Sequence, residues 1–507
     1  MRKAAGSILI QGARVYRGRD DAAQPRPADI LVRDGRIAAL VESGAGAAPP
    51  GVADKIIDGR HKLVIPGLVN AHYHSHDALA RGLFEDLPLE TWITLAIPGG
   101  RPVSARETRL RTLLGAAECL LSGITTIQDM VGSGPGAEEQ VETIKQAYDE
   151  IGIRCVLGLQ VGNRSALACL PGLAQDLPAE LRPLLDPPQP TPQAIVDFIA
   201  AALRAPTHGR LTWAIAPGSP QRCTRELLEG LAALGRERDL PVVTHVNETK
   251  LQVVLAHDQL GDHGRSWVDY LDAAGLLNQR LAIAHGIWLH DREIARIAEA
   301  GAAVVTNPTS NLKLKAGVAP LRKLHQAGVN LALGCDNVSA GDAQNLFQAM
   351  KLVCTMSAAK GPEAAHITAG LAFGFATAGG ARMLKLDREI GTIDVGKAAD
   401  LTLLDLADPA YVPLTHALRQ VVYSECGRGV DTVLVDGEIV VEHGRLTTVD
   451  WPALCEEAAD LAQAYTHDLE THRHRMTPVL PYIADAVRRA GAVPLPFNRW
   501  LAGDDAA

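Results

Sequence analysis

Val64-Ile65-Pro66-Gly67-Leu68-Val69-Asn70-Ala71-His72-Tyr73-His74-Ser75-His76 decides how this chain is read. An apolar run is broken at Pro66-Gly67, and a second short apolar run leads into histidines at alternate positions. In a β-strand, residues i and i+2 face the same side. His72 and His74 therefore present two imidazoles to one ion, and imidazole is a common ligand of zinc and iron. His76 extends the alternation. By spacing it reaches the same cavity; on the plainer reading it starts the loop or helix that follows. A solvent-exposed histidine-rich loop fits less well, because the pair ends an apolar strand and partners wait downstream.

From about 66 to 387 the texture alternates strand and helix. Eight strands are expected, at Val69–His74, Ile124–Gln128, Arg154–Leu159, Thr212–Ala216, Val242–Val246, Leu281–Ala284, Ala302–Thr306 and Asn330–Leu333. Eight strand–helix units predict a closed (β/α)8 TIM barrel in an α/β fold. An open doubly wound sheet is the alternative, weakened because no glycine-rich phosphate fingerprint follows any strand. Barrel active sites lie at the C-terminal ends of the strands. There His245 ends one strand, His285 the next, and Asp336 follows the last. A lone polar residue at a strand end is usually a turn residue, but five metal-compatible side chains at equivalent ends are hard to attribute to chance. Nitrogen and oxygen donors suit zinc or ferrous iron. Glu248, three residues after His245, falls within reach of the same cavity. A carboxylate with a raised pKa there would take a proton from water and pass it to a leaving atom. Its plainer role is a carboxylate at a helix N-terminus.

The flanks differ. Residues 1–65 read as short strands with an Asp34-Gly35 hairpin turn, and residues 388–450 repeat that texture with a second turn at Asp436-Gly437. The two ends are expected to pair into one small β-sandwich domain around the barrel at 66–387. Ala45–Val52 reads as a loop, and 451–507 as a C-terminal helical extension whose His467, His472 and His474 lie on a solvated face. Hydrophobic residues make up 47% of the 507, charged residues 21%, and the net charge is −9. That balance carries no basic nucleic-acid footprint, and no apolar run approaches a membrane span. Ser7-Ile8-Leu9-Ile10 is too short for a signal-peptide core. The eight cysteines are scattered without a C-x-x-C pair, which fits a reducing cytoplasm.

These segments resemble the amidohydrolase superfamily, in the branch holding S-adenosylhomocysteine and guanine deaminases and the s-triazine hydrolases. The matching stretches are Pro66 to His74, Arg81-Gly82, Thr244-His245 to Glu248, His285-Gly286, Asn307-Pro308-Thr309-Ser310-Asn311, Leu333 to Asp336, and Gly391-Thr392-Ile393 to Asp400-Leu401. The resemblance implies a single divalent ion, Zn2+ ahead of Fe2+, held by His72, His74, His245 and Asp336. It implies that His285 hydrogen-bonds the attacking water or the developing tetrahedral centre, and that Glu248 shuttles the proton, making Glu248, His285 and Asp336 the catalytic set. Two-metal relatives carry a carbamylated lysine at the end of strand four; here Trp213 to Pro220 contains none. Trp92 matches a position lining the substrate pocket in relatives, although helix–barrel packing accounts for it as well. With His76, Asn311 and Asn337 it completes the candidate substrate contacts. Gly218 stands where nucleoside-directed relatives often carry a histidine, which weighs against an adenosine-type substrate. Asp336-Asn337 looks like the triazine hydrolases, but Ala340 and Gly341 replace the serine and asparagine that usually follow.

The resulting expectation is a metal-dependent hydrolase that deaminates, or displaces an amine or similar group from, a purine, pyrimidine, pterin or s-triazine. Hydrolytic opening of a cyclic amide of the imidazolone type is the second reading. A catalytically silent barrel scaffold is the third, opposed by Glu248, since a scaffold needs no proton shuttle. The partner expected is a small heterocyclic substrate, and the resemblance implies a homo-oligomer, a dimer or tetramer.

Overall fold

The computed structural model describes residues 6–18, 24–42, 53–96, 103–207, 209–261, 264–359, 361 and 366–500. Ala45–Val52 and the last seven residues of the C-terminal extension lie outside that set. The N-terminal strands are β1 (Ile8–Val15), β2 (Arg26–Arg33), β3 (Arg36–Glu42), β4 (Lys55–Asp58) and β5 (Lys62–Pro66). The barrel strands follow as β6 (Leu68–His74), β7 (Ile124–Gly132), β8 (Arg154–Val161), β9 (Leu211–Pro217), β10 (Val242–Val246), β11 (Leu281–His285), β12 (Ala303–Thr306), β13 (Asn330–Leu333) and β14 (Asp336–Asn337). The chain then gives β15 (Leu401–Asp405), β16 (Val430–Val435), β17 (Glu438–Glu442) and β18 (Arg445–Leu446).

Neighbours from β6 to β13 pair in parallel and in sequence order, and β14 pairs back onto β6 with Asp336 opposite Tyr73 and Asn337 opposite His74. Only Gly334-Cys335 separates β13 from β14, so the two are halves of an eighth strand and the sheet closes into a ring. Gly334 N donates to Thr306 O at 3.0 Å on one side, and Cys335 N to His72 O at 3.2 Å on the other. A Cβ on Gly334 would sit 2.3 Å from Asn307 Oδ1 and 2.8 Å from the Cβ of His72. The closure therefore needs glycine there.

Side chains from all eight strands, small ones such as Val69, Val156, Ala214, Val243, Ala282 and Ala332 together with Met130 of β7, form one buried cluster, with Ala381, Met383 and Leu384 packed onto it. A second and larger layer of Leu, Ile and Val residues lies between strands and helices. At Pro66-Gly67 the chain passes from β5, in the terminal sheet, to β6, in the barrel. Gly67 N donates to Asp400 O at 2.9 Å, and a Cβ on Gly67 would meet the Thr125 side chain at 2.2 Å.

The terminal sheet runs β18-β17-β16-β15-β5-β1-β2-β3, with β4 on β1, so both chain ends contribute to it. Its two hairpin turns place Asp34-Gly35 and Asp436-Gly437 in the left-handed region, φ 51° and 77°, 52° and 73°, as paired Asp-Gly turns require. Arg154, at the start of β8, ties this sheet to the barrel. Its Nε donates to Asp400 Oδ2 at 2.9 Å and its Nη2 to Asp400 Oδ1 at 3.0 Å.

Beyond the terminal sheet, helices Trp451–Met476 and Leu480–Ala492 return across the barrel to the Leu89–Ala96 helix. His472 departs from the solvated face expected for it. It is buried, and its ring Nε2 lies 2.9 Å from Thr94 O. A histidine set among charged neighbours in sequence gives no sign of the helix that will pack over it. Among the described residues no helix is long and apolar enough to cross a membrane.

Candidate active site

His72 and His74 reach the site from the end of β6, His245 from β10, His285 from the end of β11 and Asp336 from β14. All five are at one end of the ring. Ring centroids lie 4.8 Å apart for His72 and His74, 4.9 Å for His72 and His245, and 5.4 Å for His245 and His285. Asp336 Oδ1 stands 3.4 Å from Nε2 of both His72 and His74. Three overlapping groups, His72/His245/His285, His72/His74/Asp336 and Glu248/His285/Asp336, each bring their ligand atoms within 4.8 Å of one another.

Two donors bound at about 2.1 Å to one tetrahedral ion stand roughly 3.4 Å apart, which is the spacing Asp336 keeps from both imidazoles. Both ring nitrogens of His72 are buried without a hydrogen-bond partner. An orphaned imidazole in the centre of three others is costly unless something else accepts its lone pair. The donor set and these unpartnered nitrogens both fit a divalent cation.

The surrounding groups orient these side chains. His74 Nδ1 lies 2.5 Å from Met130 O, His245 Nδ1 2.5 Å from Gly218 O, and His285 Nδ1 2.8 Å from Asn311 Oδ1. Those contacts leave each Nε2 for the centre, the arrangement by which a second hydrogen bond fixes the tautomer of a ligating histidine. Ser310 Oγ donates to Asp336 Oδ2 at 2.5 Å. Burial drives the His72 imidazole down to about 4, outweighing the opposite pull of Asp336. Burial and the neighbouring imidazoles take His245 well below its usual value. Burial opposes ionisation of Asp336, but the His72 and His74 imidazoles 3.4 Å away prevail and hold its carboxyl well below the usual range. Burial lowers the His74 imidazole too, but there Asp336 prevails and raises it; neutral imidazoles at His72 and His245 beside a charged Asp336 are the protonation states a cation needs.

Glu248 is buried, with Oε1 3.5 Å from His285 Nδ1. Burial pushes its carboxyl well up, aided by the charges of Asp336 and Glu90. It precedes the Lys250–Gln259 helix and faces the centre rather than acting as a helix cap. His76 stacks edge-on to His74 at 5.3 Å, takes Asn337 Nδ2 at 3.4 Å on its Nε2, and leaves Nδ1 buried without a partner. Asn311 sits behind His285 as its hydrogen-bond partner. Trp92 is buried with Phe84, Leu314 and Tyr465 in a cluster of its own, its indole N–H without a partner.

Sequence reasoning passed over three buried groups. Glu90 accepts from Thr249 Oγ1 at 2.5 Å, beside Glu248, and burial raises its carboxyl. Asp77 accepts from the N–H groups of Val338 and Ser339 at 3.1 and 3.0 Å, seating the segment after Asp336. Gln344 donates to Asp336 O at 3.0 Å and accepts from Asn70 Nδ2 at 2.9 Å. Each would read in sequence as an ordinary helix-start or loop residue. Only Asn70, inside the opening motif, carried a positional hint.

The profile of the Amidohydrolase family matches residues 63–440. A 5'-deoxyadenosine deaminase of Methanothermobacter thermautotrophicus is 33% identical over 468 residues, covering 91% of this chain and 99% of the relative. A 5-methylthioadenosine/S-adenosylhomocysteine deaminase of Pyrococcus furiosus is 32% identical over 83% of this chain and 92% of its own length. Among solved structures, an adenosine deaminase from Xanthomonas campestris with bound zinc superposes with a TM-score of 0.77 at 26% identity, covering 92% and 98% of the two chains. Atrazine chlorohydrolase from Arthrobacter aurescens, complexed with zinc, shares the fold with a TM-score of 0.79 at 23% identity, over 90% of this chain and all of that one. The chain belongs to the amidohydrolase family, and is a metal-dependent hydrolase of carbon–nitrogen bonds other than peptide bonds.

Proposed function

We propose that this enzyme removes the exocyclic amino group of a 5'-substituted adenosine by hydrolysis, with one zinc ion held by His72, His74, His245 and Asp336. The observation that carries the chemistry is Glu248, a buried carboxyl pushed well above its usual range and set 3.5 Å from His285. The substrate class rests on the full-length likeness to deaminases of 5'-deoxyadenosine and 5-methylthioadenosine. That likeness outweighs the argument against adenosine drawn from Gly218. In this fold the backbone carbonyl of Gly218 orients His245, a task that does not depend on a side chain.

When bound, the ion supplies a water activated at neutral pH. Glu248 takes one proton from that water and delivers it to the ring nitrogen beside the carbon under attack. The new C–O bond forms as the ring carbon becomes tetrahedral, and His285 hydrogen-bonds the added oxygen. Glu248 then passes the second proton, taken from the added hydroxyl, to the amino group, the C–N bond breaks, and ammonia leaves with the ring as its oxo form, C=O beside the protonated ring nitrogen. Neutral His285, its imidazole lowered chiefly by burial, is kept in one orientation by Asn311. His76 and Asn337, paired at one side of the centre, and Glu90 at another supply polar groups for the substrate. All eight cysteines are unpaired, which supports a reducing, cytoplasmic setting.

The test is ammonia release from a panel of adenosine, 5'-deoxyadenosine, 5-methylthioadenosine, S-adenosylhomocysteine, guanine and amino-s-triazines. A 5'-substituted adenosine should be turned over with the highest kcat/KM. Preferential turnover of a triazine, or of a cyclic amide without ammonia release, would refute the substrate assignment.

A further inference from the structure

Residues 441–500 lie beyond the family match, yet their last stretch is tied to the loops that carry the proposed proton shuttle and its partner. Lys250 Nζ donates to Gly491 O at 2.6 Å. Arg499 donates through Nε to Ile287 O at 3.0 Å and through Nη2 to Leu289 O at 2.5 Å. Val318 N donates to Arg499 O at 2.7 Å. Trp500 donates its indole N–H to Lys315 O at 3.3 Å, and its ring packs edge-on against Trp288 with centroids 4.8 Å apart. The segment 491–500 thus bridges the loops after β10, β11 and β12.

Trp288 is where these ties meet. It is fully buried; its backbone N–H donates to Asn247 O at 2.8 Å and its indole N–H to Ala316 O at 2.7 Å. Asn247 has φ 50° and immediately precedes Glu248. Ala316 N donates to Asn311 O at 2.8 Å, and Asn311 holds His285. Two short relays therefore run from the C-terminal segment, one to Glu248 and one to His285. Loops are the mobile part of a barrel enzyme, and a catalytic group on a loop keeps its position only if the loop is itself held.

We propose that residues 491–500 are a positioning strap, with Arg499 and Trp500 acting through Trp288 to fix Glu248 and His285 for proton transfer. Arg499 and Trp500 are positioning residues, since neither is among the groups at the reacting centre. Arg499 makes charge-assisted hydrogen bonds to two carbonyls that flank Trp288, a geometry that fixes backbone rather than neutralising a charge. The proposal rests on the roles given above to Glu248 and His285.

The experiment is steady-state kinetics of Arg499→Ala, Arg499→Lys and Trp500→Ala in the full-length zinc enzyme. Zinc stoichiometry, melting midpoint and amide hydrogen exchange are measured on each variant. A misplacement of about 1 Å at a reacting group costs roughly 10²-fold, so Arg499→Ala should lower kcat by about 10- to 100-fold. KM, bound zinc and the melting midpoint should stay near wild type, while the loops after β10, β11 and β12 exchange faster and β6 to β8 do not. Arg499→Lys should recover part of kcat. Trp500→Ala, at a half-exposed position that leaves the fold intact, should show a smaller loss of the same kind. Wild-type kcat in Arg499→Ala or Trp500→Ala overturns the proposal, as does a loss that merely tracks zinc content or melting. Glu248→Gln run alongside separates the two readings. If it stays active the proton assignment fails, whereas an inactive Glu248→Gln with a normal Arg499→Ala sinks the strap alone.

Discussion

Replacing Glu248 with glutamine separates catalysis from metal binding and from stability, because the structure gives that carboxyl a distinct place in each. It removes the proton carrier and nearly preserves shape. General acid–base catalysis contributes about 10²- to 10⁴-fold, or roughly 3–5 kcal/mol of transition-state stabilisation at 1.36 kcal/mol per decade. Glu248 serves both proton transfers, so the loss in kcat should fall toward the upper end of that range. Zinc content should stay at wild-type level, because the four proposed ligands remain.

Stability should move the other way. Glu248 is held in the folded protein with its pKa well above the unfolded value, so the folded state binds that proton more tightly than the unfolded chain. The penalty is absent below the unfolded pKa. It grows as pH rises toward the folded value and is then constant. In metal-free protein, Glu248→Gln should therefore melt higher than wild type at neutral pH, and the two melting curves should converge as pH falls below about 4. Ammonia-coupled kinetics, metal analysis and melting from pH 4 to 8 give the three readouts. Near-normal kcat would refute the shuttle. A lower melting point at pH 7 would refute the claim that burial of this carboxylate is uncompensated.

Three further outcomes follow from the same geometry. Chelation should abolish turnover and one equivalent of zinc should restore it; turnover that survives a metal-free preparation would remove the ion from the mechanism. Asp336→Asn should lose zinc as well as activity, because His72 and His74 share that carboxylate at 3.4 Å, and full zinc occupancy in the variant would displace Asp336 from the ligand set. Asp400→Ala should destabilise the protein by about 3 kcal/mol, the lower end for removing one partner of a buried pair, since Arg154 keeps a weaker neighbour in Asp436 at 3.5 Å. It should leave kcat of the folded fraction unchanged, and an unchanged melting midpoint would show that the pair does not hold the terminal sheet to the barrel.

The barrel was legible because its strands are short apolar runs separated by helix-length segments, and that pattern survives any detail of packing. Val242–Val246 and Asn330–Leu333 begin and end where the residue pattern places them. The convergence of the candidate ligands was legible for a related reason. A strand pointing into a barrel delivers its last side chain to one end of the ring, so position along the strand stands in for position in space. Trp288, Arg499, Gln344 and Glu90 had no such rule behind them. Each acts through a contact with a residue tens to hundreds of positions away, and each resembles an ordinary packing or surface residue in its own neighbourhood. His472 failed for the same reason, being read from its charged neighbours while a distant helix covered it.

Backbone strain joins what was legible to what was not. Asn247, His285 and Asp336 have φ of 50°, 70° and 65°, a region non-glycine residues enter rarely and at a cost of order 1–3 kcal/mol each. All three stand at or just past strand ends, His285 and Asp336 facing the centre and Asn247 beside Glu248 with its side chain on Glu293. A strained residue persists only where its surroundings over-determine it, and two of the three hydrogen bonds at these positions come from residues the sequence left unmarked, Trp288 and Gln344. Trp288 N–H holds Asn247 O, Asn311 holds the His285 ring, and Gln344 holds Asp336 O. The motif residues thus specify the chemistry, while the unmarked residues keep them in conformations they would otherwise leave. Asn70→Ala, which removes the partner of Gln344 and of Cys335 N, should therefore weaken zinc binding without touching a ligand. Competition with a chelator would measure it. Wild-type zinc affinity would show that Asp336 keeps its left-handed backbone without this support.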